Sequence, residues 1–176
     1  MTAALAQEIA ALLIERGETV AVAESAAGGQ ISGALTAVPG ASAWFLGAVV
    51  PYATLAKSRW LGLRAEELAG AGVVSQPAAQ RMALAVREAL GATWGLSETG
   101  IAGPQTGRRS SKPPGLVYVA VDGPVSEARL HTTGLPERGE NQAAFTALAL
   151  TLLLESLRRA PRTPLGPASH SSPTRG

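Results

Sequence analysis

The sequence predicts one α/β domain, a three-layer α/β/α sandwich built on a mixed, mostly parallel sheet. Short apolar β-branched runs alternate with longer runs of helical periodicity, in the order α-β-α-β-α-β-β-β-α. The length of 176 residues fits one such domain, which can bury a core without disulfides or metals. The hydrophobic fraction of 46% is typical of a globular protein.

The first half of the chain alternates helices with two buried strands. The predicted elements are a helix that ends at Gly17, a strand over 19–23, a helix over 29–38, a strand over 44–52 and two short helical pieces over 55–61 and 65–69. Both strands are apolar, and turn signals bound the first of them. Pro51 stands near the end of the second strand, where its missing N–H is tolerated.

The second half of the chain contains a long helix, three strands and a final helix. The predicted elements are a helix from Ser75 to Gly91, strands over 93–97, 115–123 and 126–132, and a helix over 140–159, with a Gly/Pro/Ser loop over 100–114. The short turn at Asp122-Gly123-Pro124 implies that the last two strands are antiparallel. We expect the domain to span residues 1–159 and the Pro/Ser-rich residues 160–176 to be a disordered tail.

Composition excludes several classes of protein. The chain has no cysteine, which rules out thiol nucleophiles, zinc–thiolate sites and iron–sulfur clusters. Four arginines lie near the C-terminal end, and the remaining 11 basic residues face 13 acids, so we expect no nucleic-acid partner. The N terminus lacks the basic region of a signal peptide, and no apolar run approaches the ~20 residues that span a bilayer. We therefore expect a soluble, cytoplasmic protein with no membrane partner.

The end of the first strand is the first candidate site, because ligands of open α/β sheets collect at the carboxyl ends of strands. Ser25 follows this strand, and Gly28 and Gly29 then open a helix. Unpaired N–H groups at a helix start can hold an oxyanion or a phosphate, and glycine lets a ligand approach the backbone. A serine that simply caps the helix fits the same pattern, so the motif alone leaves both interpretations open.

Lys57 is a candidate base because the chain has only two lysines against 13 arginines. An arginine cannot release its proton at useful pH, whereas a lysine can if burial lowers its pKa well below about 10.4. A solvated lysine on a short helix is the alternative.

Hydroxyl groups follow the other strand ends. Tyr52 ends a strand, and Thr99 and Gly100 begin the TGIAGP loop, whose amides could face a ligand. A half-packed tyrosine and a capped turn are the alternatives. Glu24 and Glu98 precede the two hydroxyl residues Ser25 and Thr99 and face either the same cleft or solvent. The two histidines form no plausible pair, so we expect no Ser-His-Asp triad.

Six segments together resemble the C-terminal domain of the CinA (competence/damage-inducible) family. In order they are AESAAGG, VPGASAWFLGAVVPYATLAKSRWLGL, GVVS, TGIAGPQTG, KPPGLVYVAV and GLPERGENQ. Active members are nicotinamide-nucleotide deamidases. The resemblance therefore implies a three-layer α/β/α fold and hydrolysis of nicotinamide mononucleotide to nicotinic acid mononucleotide and ammonia, with no cofactor and no metal.

The resemblance also implies the site residues. The serine of the family falls on Ser25 and its lysine on Lys57, and catalysis is expected at four positions: Ser25, Lys57, Tyr52 and Thr99. Substrate binding is expected at four others: Gly28, Gly29, Gly100 and Arg138, of which Arg138 would pair with the phosphate.

Several positions differ from the residues that are usual in the family. Ala26 and Ala27 replace the cysteine and the threonine of ESCTGG. Pro51, Thr54 and Leu55 stand where SYSNEAK has serine, asparagine and glutamate, and Gln142 stands where a second arginine is usual. The loss of polar side chains favours an alternative, a non-catalytic nucleotide-binding or regulatory module. A third interpretation is an amidohydrolase for another amide. We also expect a homodimer if Trp44, Phe45 and Trp60 are exposed.

Overall fold

The computed structural model describes residues 1–64, 70–104 and 111–161. The elements are α1 (Thr2–Arg16), β1 (Val20–Glu24), α2 (Gln30–Thr36), β2 (Phe45–Val49), α3 (Thr54–Leu61), α4 (Gln76–Leu90), β3 (Trp94–Gly100), β4 (Leu116–Asp122), β5 (Glu127–Thr132) and α5 (Arg138–Arg159). No helix in these three ranges is long and apolar enough to cross a membrane. The predicted helical piece over 65–69, part of the 100–114 loop and most of the predicted tail lie outside the described residues.

The five strands form one mixed sheet in the order β2-β1-β3-β4-β5. Strand β1 is parallel to both β2 and β3, whereas β3 and β4 are antiparallel and so are β4 and β5. Four strands therefore run in one direction and only β4 opposes them. The predicted mixed sheet, its mostly parallel direction and the antiparallel final pair are confirmed.

Helices cover both faces of this sheet, which completes the three predicted layers. Alternate residues of β1 point to opposite faces. Val20 and Val22 join a large core with α1, α2 and α5, whereas Ala21 and Ala23 join a smaller core with α3 and α4. Helix α4 lies very close to β3, since a Cβ added at Gly95 would fall 2.0 Å from the Ala83 carbonyl oxygen.

Four details differ from the sequence prediction. Strand β2 ends at Val49, where its pairing with β1 stops, so Tyr52 lies beyond the strand and does not end it. Strand β3 continues past the predicted residue 97 to Gly100, because β4 pairs Gly100 with Val117. Thr99 is therefore part of a strand and does not begin a loop. Trp44 is 1% exposed because its ring belongs to the core, so it cannot support a homodimer, whereas Trp60 is 60% exposed. Helix α5 begins at Arg138, two residues earlier than predicted.

Candidate functional site

The candidate site lies at the carboxyl ends of β1 and β3. Their parallel pairing sets Glu24 opposite Glu98, so the next residues, Ser25 and Thr99, follow from neighbouring strands at the same level. Ser25 is only 6% exposed and Thr99 is fully buried. Lys57 reaches this end of the sheet from α3. The structure thus brings the predicted serine, lysine and threonine to one end of the sheet.

The amine of Lys57 is held by two oxygens. It donates to the Thr99 hydroxyl at 3.0 Å and to the Val73 carbonyl at 3.5 Å. The Thr99 hydroxyl donates its own proton to the same Val73 carbonyl, at 2.9 Å. Because that proton is committed, Thr99 can only accept from Lys57. A neutral Lys57 therefore uses its N–H groups on these two oxygens and retains a lone pair for an incoming proton.

Burial changes the acidity of Lys57. Its side chain is 3% exposed. This desolvation lowers its pKa from 10.5 to about 8, although the charge of Glu98 opposes part of the shift. A pKa near 8 leaves about half of the amine neutral at pH 8. Lys57 can therefore accept a proton close to neutral pH, which a solvated lysine cannot do efficiently.

The turn that contains Ser25 is fixed by Glu98. The Glu98 Oε2 atom accepts the Ser25 N–H at 3.0 Å and the Ala27 N–H at 2.8 Å. Burial raises the pKa of Glu98 to about 7, against the lowering effect of these two N–H groups and of Lys57. The sequence left open whether Glu98 faces the cleft or solvent, and the structure buries it completely beside the turn.

The start of α2 is occupied by Glu24. Its two carboxylate oxygens accept the N–H groups of Gly29, Ile31 and Ser32, each at 2.9 Å. The Gly28 N–H donates to the Ser25 carbonyl at 3.2 Å. In this arrangement the amides of Gly28 and Gly29, which the sequence suggested for an oxyanion, both already have acceptors within the chain.

The three glycines that were predicted to bind the substrate are needed in the structure for different reasons. Gly28 and Gly29 have φ of 69° and 99°, a region that other residues rarely adopt. A Cβ at Gly28 would also lie 3.3 Å from the Gln142 amide nitrogen. Gly100 is limited by packing, since its Cβ would fall 2.7 Å from the Leu116 carbonyl oxygen. The tight turn after Ser25 therefore requires its two glycines.

Tyr52 and Arg138 form a bridge at the edge of this region. The Arg138 guanidinium donates to the Tyr52 hydroxyl at 2.6 Å and to the Gly103 carbonyl at 3.0 Å. Tyr52 is 59% exposed, so the bridge lies at the surface. It joins the segment before α3 to the first residue of α5 and to the 101–104 loop.

Two polar residues of α5 have structural roles that the sequence pattern does not indicate. Asn141 is fully buried and donates to the carbonyls of Ala102 and Leu135, at 3.0 and 3.1 Å. Gln142 donates to the Ala26 carbonyl at 2.9 Å, directly after Ser25. Asn141 could have been found from spacing, because it lies four residues before the buried Phe145 on the same helix face.

Within residues 1–64, 70–104 and 111–161, no group of three or more His, Cys, Asp or Glu side chains could hold a metal ion. His131 lies on β5, as predicted. The side chains that the described strand ends bring together carry a hydroxyl, an amine and a buried carboxyl group.

Comparison with curated proteins identifies relatives of this domain. Residues 2–157 match the family model of the CinA C-terminal domain. The chain is 43% identical to the CinA-like protein of Synechococcus sp. over 155 residues, which are 88% of this chain and 36% of that protein. It is 48% identical to the CinA-like protein of Anaeromyxobacter dehalogenans over 148 residues, 82% of this chain and 36% of that protein. The chain thus spans about a third of the length of these relatives.

Solved structures have the same fold. The competence damage-inducible protein A (ComA) from Klebsiella pneumoniae superposes with a TM-score of 0.84 at 31% identity, covering 90% of this chain and 98% of that one. The competence/damage inducible protein CihA from Agrobacterium tumefaciens gives 0.81 at 34% identity, covering 90% and 96%. The family model, the curated relatives and the solved structures agree. The chain belongs to the CinA family, and residues 2–157 match its C-terminal domain.

Proposed function

We propose that the protein is an amidohydrolase that converts nicotinamide mononucleotide and water to nicotinic acid mononucleotide and ammonia. The motif resemblance to active family members supports this substrate. One observation supports the chemistry above all others: Lys57 is buried, its pKa is lowered to about 8, and its amine bonds to Thr99 at the strand end beside Ser25. A lysine in this state is suited to general-base catalysis.

In the proposed reaction, the Ser25 Oγ atom attacks the carboxamide carbon while the neutral Lys57 amine takes the hydroxyl proton. The resulting Lys57 ammonium then protonates the amide nitrogen, and the C–N bond breaks to release ammonia and leave an ester on Ser25. Water attacks this ester with Lys57 again as the base. The Ser25–acyl bond breaks, the proton returns to the serine, and nicotinic acid mononucleotide leaves.

The carboxamide oxygen becomes negative during each attack and needs a hydrogen-bond donor. The Gly28 N–H is the best candidate, because its present bond to the Ser25 carbonyl is long, at 3.2 Å, and can be exchanged for the substrate. Gly29 and Gly100 remain expected contacts with the ligand. Tyr52 accepts from Arg138 at the rim of the site, so we expect Tyr52 to contact the nucleotide there while Arg138 pairs with its phosphate.

A non-catalytic nucleotide-binding or regulatory module is the second candidate, and one observation favours it. The N–H groups of Ser25, Ala27 and Gly29 donate to the carboxylates of Glu98 and Glu24. A site whose amides are this fully used could bind a nucleotide without stabilising an oxyanion. Hydrolysis of another amide is the third candidate function, because Leu55 adds an exposed apolar side chain three residues after Tyr52.

The decisive experiment measures ammonia and nicotinic acid mononucleotide released from nicotinamide mononucleotide by purified protein. Ser25→Ala and Lys57→Met are the test variants, and Ser58→Ala and Arg59→Met are matched controls on the exposed side of α3. We expect activity in the wild type and both controls and none in the two test variants. Nucleotide binding without turnover in the wild type would instead support the binding module.

We further propose a cytoplasmic homodimer. Exposed apolar side chains surround the edge strand β2 and the neighbouring helix ends: Leu46, Val50, Trp60 and Leu90. An edge strand with such neighbours is suited to pairing with a second copy. Sedimentation of the wild type and of Trp60→Asp tests this proposal, with a dimer expected only for the wild type. A monomeric wild type would contradict it.

A further inference from the structure

Glu98 is a buried carboxyl group to which the proposed reaction assigns no role. It lies near the end of β3 and is completely buried. Its Oε2 atom accepts two backbone N–H groups of the turn that begins at Ser25, at 3.0 and 2.8 Å. Among the described residues its Oε1 atom has no hydrogen-bond partner. A buried carboxylate with one free oxygen is costly, which makes its presence beside a candidate nucleophile informative.

Two ionisable side chains act on Glu98. Glu24 lies opposite it on β1 and opposes its negative charge, whereas the Lys57 ammonium attracts it. The influence is mutual, because Glu98 favours the charged form of Lys57 while burial disfavours it. Lys57 also contacts the residue after Glu98, through its 3.0 Å bond to Thr99. One carboxylate is thus linked by hydrogen bonds to the nucleophile's turn and by charge to the candidate base.

We propose that Glu98 is a positioning residue of this site: it holds the Ser25 turn through two backbone N–H groups, and its charge governs when Lys57 can accept a proton. The expected effect of Glu98 on turnover rests on the proposed function. Its hold on the Ser25 turn and the effect of its charge on Lys57 do not. When Lys57 takes the Ser25 proton it becomes an ammonium, and the negative charge of Glu98 stabilises that ammonium. Glu98 therefore assists the proton transfer without touching the substrate.

Two substitutions separate the two roles. In Glu98→Gln the side-chain oxygen can still accept both N–H groups, and the new NH₂ occupies the position of Oε1, so only the charge is lost. In Glu98→Ala both the charge and the two hydrogen bonds are lost. Glu88→Gln, at an exposed position of α4, is the matched control.

The charge is tested without substrate, by NMR of protein labelled with ¹³C at lysine Cε. The chain contains only two lysines, Lys57 and Lys112, so Lys112→Arg assigns both signals. We expect Lys57 in the wild type to titrate near pH 8 and in Glu98→Gln at lower pH, by on the order of one unit. Glu88→Gln leaves it unchanged. A Lys57 that titrates at the same pH in the wild type and Glu98→Gln overturns the assigned charge role.

The turn is tested by kinetics of amide hydrolysis. We expect Glu98→Ala to lower kcat about 100-fold, as displacement of a nucleophile by about 1 Å does, with a smaller change in KM. Glu98→Gln retains most of the wild-type kcat, and its pH profile moves to lower pH. Equal kcat in Glu98→Ala and the wild type overturns the positioning role. If the wild type hydrolyses nothing, the proposed function fails, while the lysine titration still decides whether the charge of Glu98 acts on Lys57.

Discussion

Replacing Lys57 with methionine is expected to make the protein more stable at pH 7 and less stable at pH 10. Methionine keeps an unbranched apolar stem and removes the buried amine. The pKa of Lys57 is about 8 when folded, against 10.5 for an ordinary lysine, which corresponds to a cost of about 3 kcal/mol at pH 7. Each of the two hydrogen bonds of the amine, to Thr99 and Val73, stabilises the folded wild type by about 1 kcal/mol. The variant is therefore expected to gain about 1 kcal/mol at pH 7.

The sign changes with pH because the folded pKa is lowered. Below about pH 8 both the folded and the unfolded lysine are protonated, so the wild type bears the full cost of burial. Between pH 8 and 10.5 the unfolded chain binds more protons than the folded one, and the wild type gains stability as pH rises. At pH 10 the cost has fallen to about 1 kcal/mol, while the variant still lacks the two hydrogen bonds, which are worth about 2 kcal/mol together. The variant is then the less stable protein.

Urea unfolding followed by tryptophan fluorescence at pH 7 and pH 10 measures this difference without any substrate. Arg59→Met, on the exposed side of the same helix, is the control and shows no dependence of its stability difference on pH. If Lys57→Met is destabilised by the same amount at both pH values, Lys57 does not bear a desolvation cost and the physical basis for a neutral base is lost.

Three further outcomes are expected. Turnover rises with pH through about 8, since the neutral fraction of Lys57 grows from about one-tenth at pH 7 to about nine-tenths at pH 9, and a flat profile contradicts this base. Gly33→Ala raises the free energy of unfolding by up to about 1 kcal/mol, because the added Cβ meets nothing within 4 Å. Gly95→Ala lowers the free energy of unfolding by about 3 kcal/mol or more, because the added Cβ meets the Ala83 carbonyl oxygen. Thermal unfolding of both variants measures the difference, and equal effects refute the packing argument. Arg138→Lys raises KM for the mononucleotide about tenfold and leaves KM for the nucleoside without phosphate unchanged; an equal rise for both substrates removes the phosphate contact.

The sequence predicts the fold well because its main signals are local. Apolar spacing marks α1 and α4, and the Asp122–Pro124 turn marks the antiparallel pair β4–β5. The end of β3 is different, because its last residues are strand only through pairing with β4, far along the chain. Pattern alone therefore placed Thr99 in a loop.

Part of the candidate site can also be predicted from the sequence, because the signals for Ser25 and Lys57 are local. Ser25 follows a strand that its apolar pattern predicts, and the rarity of lysine in the chain makes Lys57 a candidate. The burial that makes this lysine useful depends on the Val73 carbonyl and on Thr99, which lie 16 and 42 residues away. The bridge from Tyr52 to Arg138 spans 86 residues. Such contacts exist only after the layers pack, so periodicity carries no information about them.

The carboxylate of Glu24 at the start of α2 also constrains the direction in which a substrate can bind. In many α/β proteins a helix start after a strand attracts the phosphate of a ligand. Here the chain supplies its own anion, which already uses the N–H groups of Gly29, Ile31 and Ser32. A phosphate approaching this end meets an occupied helix start and the negative charge of Glu24. We therefore expect a nucleotide to enter with its uncharged amide toward Ser25 and its phosphate turned outward, toward Arg138 at the rim.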